Sequence, residues 1–221
     1  MSSYLLLKFA HLLAFVYWLG GDLGTFLASR HVVNDQHSPE ARHVALKIML
    51  ACDMGPKLAM PLILPLGVQL AVTMNLASLP GWVMPALWAV ALYWFSVVMI
   101  LHLKEGQAIA VRLAGIDLYF RIIVALCLLA WGVSELAGGL WLVGDWLAIK
   151  VIIFALMVGC GIGIRLFLKP FGPAFASMLG NGPSADSNLA MHRAIARCRP
   201  LVWAIWAGLF VNAALGLHLI G

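Results

Sequence analysis

Residues 5–29 read LLLKFAHLLAFVYWLGGDLGTFLAS, a stretch long and apolar enough to cross a bilayer as one helix. Within it Lys8, His11, Phe15, Trp18, Asp22, Thr25 and Ser29 recur at alternating steps of three and four. That spacing sets them on one stripe of a helix. Gly20 and Gly24 make a small-xxx-small step, which predicts close approach of a second helix there. A polar stripe in an apolar span is expected to face protein rather than lipid. Ionisable groups at membrane depth are costly, so the stripe marks a functional seam. Lys8 alone reads more simply as a side chain snorkelling to the interface.

The rest of the chain fits this start. Of its 221 residues 63% are hydrophobic and only 10% charged, and the mean hydropathy is +0.99. This is the composition of a polytopic membrane protein. The net charge of +5 sits beside apolar segments, so it does not indicate nucleic-acid binding. Cys52, Cys127, Cys160 and Cys198 are scattered without C-x-x-C spacing and read as small packing residues. The first apolar stretch lacks a cleavage pattern and is expected to stay as an anchor.

Six spans follow, at about 4–28, 50–74, 83–103, 118–136, 146–168 and 201–219, all within a single transmembrane domain. Ser38-Pro39-Glu40 has the form of a helix start. Pro56, Pro61 and Pro65 predict a kink in the second span. Gly159 and Gly163 predict close packing of the fifth. Eleven of the 14 Lys and Arg residues fall in the first, third and fifth connections or within four residues of them, and none in the second or fourth. The positive-inside rule then predicts cytoplasmic odd connections and extracytoplasmic termini. The expected class is an all-α membrane helix bundle of the inner (plasma) membrane.

With that topology, depth sorts the polar residues. Lys8, His11, Glu135, Lys150 and His218 share a layer near the outer face, close to Trp131, Trp141 and Trp146. Asp53, Lys57, His102, Asp117, Arg121 and Arg165 share an inner layer, with Asp22 between it and the middle. Two histidines at one depth on different helices are the arrangement that ligates haem iron in membrane bundles. His11 and His218 are the candidate ligands. His102, near the other face, could serve only a second, inner site. Basic groups such as Lys8 and Lys150 would pair with propionates. His218 reads equally well as an interface residue near the end of its span, and Glu135 with Lys150 as an ion pair.

These residues also carry a resemblance. Lys8-x-x-His11 followed by Trp18-x-Gly20-Gly21 resembles the first helix of CopD-like membrane domains and of HemJ-type protoporphyrinogen oxidases. Trp146-Leu-Ala-Ile-Lys150 with Arg165 downstream resembles their second signature. The likeness covers two helices. It implies haem b with His11 as a ligand and Lys150 as a functional lysine, or, on the CopD side, copper handling. Where HemJ-type proteins carry P-R-x-x-V-Y-H, only Arg30-His31-Val32 stands here.

Two functions are therefore expected. One is a haem-b redox protein exchanging electrons with a quinone or a partner subunit, or oxidising a small substrate. The other is a permease for a metal ion or protons along Lys8, His11 and Asp22. Methionines are not clustered as M-x-x-M, the pattern soft copper(I) favours. No phosphate loop, Ser/His/Asp arrangement or H-E-x-x-H motif supports hydrolysis. Besides membrane lipid, no partner is implied by composition.

Overall fold

A computed structural model describes residues 3–220. The described residues form helices and no strand: α1 (Ser3–Val32), α2 (Pro39–Thr73), α3 (Val83–Leu103), α4 (Ala108–Leu136), α5 (Asp145–Phe167), α6 (Phe171–Asn181) and α7 (Ala185–Gly216). Six are long and apolar enough to span a membrane, the short α6 lying between the fifth and sixth spans.

Helix ends follow local chemistry. Ser38 caps α2 by accepting from the Ala41 amide at 3.3 Å, with Pro39 at the first helical position. The 35 residues of α2 run unbroken through Pro56, Pro61 and Pro65, so capped start and span are one helix. At a rise of 1.5 Å per residue α2 is about 52 Å long, more than a hydrocarbon core needs. Pro170 ends the fifth span and starts α6. A capping box between Ser184 and Ser187 starts α7.

The tightest helix pair is α1 against α2. A Cβ on Gly21 would lie 2.4 Å from Pro56 Cδ and 2.7 Å from the Cys52 carbonyl oxygen. Gly55 meets the Tyr17 carbonyl equally closely. The expected Gly20–Gly24 contact is thus displaced by one residue. Gly24 does meet Cys52, but Gly20 has open space around it. In α5 likewise Gly163 meets Leu201 and Gly159 meets nothing.

The core joins all six spans through Trp18, Met60, Trp94, Leu128, Phe154, Val158, Ile205 and Leu209. A second cluster packs α6 and the start of α7 on the ends of α1 and α2. At its centre Arg42 is fully buried, donating to the Val32 carbonyl at 2.7 Å and the Asn188 side chain at 2.9 Å. Exposed Leu12, Val16 and Leu23 give α1 an apolar outer face, which suits lipid. At the end without basic connections, the α2–α3 and α4–α5 loops pair through Ser78 to Trp141 and Val143 to Leu76. The opposite end, with the basic connections, is the basic face.

Candidate functional site

The α1 stripe faces inward from His11 to Ser29, as its spacing predicts, while Lys8 is exposed and lies over the Tyr4 ring. Trp18 is 1% exposed and meets Phe154 edge-on at 6.0 Å. On the basic side of Trp18 opens a chamber of about 730 Å³, within the range of small-molecule sites.

Every spanning helix contributes an ionisable side chain to this chamber. They are Asp22 from α1, Asp53 and Lys57 from α2, His102 from α3, Asp117 and Arg121 from α4, Arg165 from α5 and Arg199 from α7. The lining continues to Lys47, Glu105 and Lys169, all exposed at the basic face. Its deep end is apolar, made of Trp18, Met60 and Ile205.

Asp117 organises one wall. It is 1% exposed, and its Oδ2 accepts from Arg121 Nε at 2.9 Å and Arg165 Nη1 at 2.6 Å. Arg165 Nη2 donates to the Ala114 carbonyl at 2.6 Å. The Arg121 guanidinium lies 5.2 Å from the centre of the Trp94 ring, a cation–π distance. On α2, Asp53 and Lys57 pair one turn apart. Asp22 Oδ2, Asp117 Oδ1 and Arg199 Nε are buried without a hydrogen-bond partner. Unpartnered polar atoms at such depth are uncommon and costly, and here three belong to residues that line one cavity.

Beyond Trp18, roughly 10 Å along α1 by helical rise, lies His11. Its ring presses on Gly67 of α2, where a Cβ would come 2.9 Å from Cε1, and its Nδ1 is buried without a partner. Lys150 reaches across to α7, its Nζ 2.7 Å from where a Gly216 Cβ would sit, with the Trp146 ring centre 5.7 Å away. His218 follows the end of α7 in a left-handed conformation (φ 52°), exposed and edge-on to Trp146 at 4.9 Å. Lys150 therefore does face protein beside Trp146.

Compared with known families, curated proteins and solved structures, the chain matches none.

The expected outer site is only partly assembled. Among the described residues Glu135 and Lys150 form no salt bridge. Glu135 instead accepts from the Trp141 and Leu142 amides at 3.1 and 3.0 Å and from the Trp131 indole, closing the α4–α5 loop. A haem needs an open slot beside its ligands. The His11 ring is covered by α2, and neither His11 nor His218 lines the chamber or a second, apolar cavity of about 630 Å³ between α4, α5 and α7. These residues do not fit a macrocycle. For copper, no group of three or more His, Cys, Asp or Glu gathers among the described residues. His102 stands exposed at the chamber mouth, and no other histidine joins it in the lining among the described residues.

Asp22 and all six residues sorted into the inner layer, Arg165 among them, line this one chamber, but depth sorting gave no role to Arg199 or Trp94. Arg199 precedes Pro200 and reads as the end of a connection, whereas α7 continues through that proline.

Proposed function

We propose that this protein is a proton-linked permease whose solute enters the chamber from the basic face. The observation that carries this reading is the convergence of ionisable side chains from all six spans on one chamber open at one end. Electron transfer needs no aqueous vestibule, while a transported solute does. Ionisable residues gathered inside a membrane bundle mark solute and proton routes.

Asp22 is the proton-bearing group. Asp22 lines the chamber, and a proton lowers the cost of burying its unpartnered oxygen. Trp18 closes the chamber one turn further in, and His11 and Lys150 stand on its far side. The basic face is taken as cytoplasmic, from the Lys and Arg division. Inner-membrane placement belongs to the same proposal.

The test uses proteoliposomes loaded with a pH-sensitive dye under an imposed pH gradient, with valinomycin and potassium to remove the electrical limit. The wild type is expected to dissipate the gradient faster than protein-free vesicles, and Asp22→Asn to return the rate to that baseline. Equal rates in all three would sink the reading. The copper and haem-b readings have a separate check, metal analysis and the visible spectrum of the purified protein. A Soret band that His11→Ala abolishes would restore the redox function.

A further inference from the structure

We propose that the α4–α5–α7 wall of the chamber is a subsite for a phosphate group, borne either by a soluble solute or by a phospholipid head. The inference deepens the permease reading and rests on it only for the claim that the bound group is cargo.

Three guanidinium groups stand on this wall against one carboxylate. Asp117 gives a single oxygen, Oδ2, to both Arg121 and Arg165, at 2.9 and 2.6 Å. That shared atom holds the two guanidinium groups side by side. Arg121 spends only Nε on Asp117, and its face lies over Trp94, so its terminal nitrogens remain for another acceptor. Arg199 belongs to the same wall. Its neighbour Cys198 reaches the carbonyl of Ile164 at 3.7 Å, so α7 packs on α5 at this level, and Arg199 lines the same cavity as Arg121 and Arg165. Arg199 Nε is buried and has no partner.

The charge does not balance locally. Asp53 is occupied by Lys57, and Asp22 stands on α1. Three cations and one anion leave two positive charges beside an apolar floor. An arrangement of that kind at membrane depth is stable when an anion enters. Forked guanidinium donors match phosphate oxygens in pairs, which a lone lysine cannot do. Asp117 is then a positioning residue, holding two forks at one spacing. Arg121, Arg165 and Arg199 are the groups that would touch the ligand. Lys169, one turn beyond Arg165 at the mouth, extends the positive field outward and favours entry of an anion.

The experiment is thermal unfolding of the delipidated, detergent-purified full chain, titrated with inorganic phosphate at constant ionic strength against chloride. Saturable stabilisation by phosphate and none by chloride is expected. Arg199→Gln should weaken it at least about tenfold, equal to about 1.4 kcal/mol, and Arg199→Lys should fall between. A parallel arm extracts lipid from protein purified with phosphatidylglycerol. Retention by the wild type and loss in Arg199→Gln would make the phosphate a lipid's, while phosphate stabilisation without retained lipid would make it a solute's. If neither ligand gives an Arg199-dependent effect, there is no subsite. Should Arg199→Gln fail to fold, Arg165→Gln serves in its place, since Asp117 keeps Arg121. Proton flux is read on the same variants. Its absence from a wild type that binds phosphate would defeat the permease reading and leave the subsite standing.

Discussion

Asp117 is the residue on which the charged wall depends. Its side chain is fully buried and both of its partners are arginines. Asp117→Ala leaves two part-buried cations without their anion; breaking a fully buried pair from one side costs about 3–5 kcal/mol, and the partial exposure of Arg165 sets the expected loss at the lower end of that range. Unfolding in mixed micelles with increasing dodecyl sulfate should show a loss of that order. A change below about 0.5 kcal/mol, as for ordinary surface substitutions, would show that the network is not holding α4 to α5. At this scale the sequence was only half legible. The periodicity of α1 told which of its residues face inward, because a helix of known pitch fixes direction. It did not tell what they would meet. Glu135 and Lys150 share a depth, yet Glu135 turns to two backbone amides of its own loop, a partner that no depth count can reveal. Arg199 escaped notice because its helix continues through Pro200.

Among elements, the α1–α2 contact gives a sharp contrast between adjacent glycines. Gly21→Ala would push a methyl into Pro56 and the Cys52 carbonyl, backbone and ring atoms that cannot step aside, whereas Gly20→Ala meets open space. Overpacking of this kind costs about 1–3 kcal/mol. Gly21→Ala should therefore destabilise the protein by that order and Gly20→Ala leave it unchanged, measured by the same unfolding titration. Equal effects would mean that the helices are rotated from the positions described. At the start of α7, Ser184→Ala removes the cap and should cost about 1 kcal/mol, read as a lower unfolding midpoint. The six spans and the Ser38 cap were legible because hydropathy and capping are local properties. The register of α1 on α2 was not. Gly20 and Gly21 are equally small, and only the partner's surface decides which of them is covered.

For the whole molecule, the division of basic residues predicts the orientation. A periplasmic reporter fused after the last residue should be active and a cytoplasmic one silent; the reverse would turn the chamber to the other side of the membrane. The chamber itself was legible as a layer of charges but not as a cavity, since its walls come from every span. The central claim is that it is water-filled, entered from the basic face and closed at Trp18. Asp22→Cys, in a chain whose Cys52, Cys127, Cys160 and Cys198 are replaced by Ser or Ala, tests this most directly. A membrane-impermeant maleimide should label that cysteine in inside-out vesicles and leave it unlabelled in right-side-out cells. Labelling from the outside, or from neither side in a folded protein, would contradict the account.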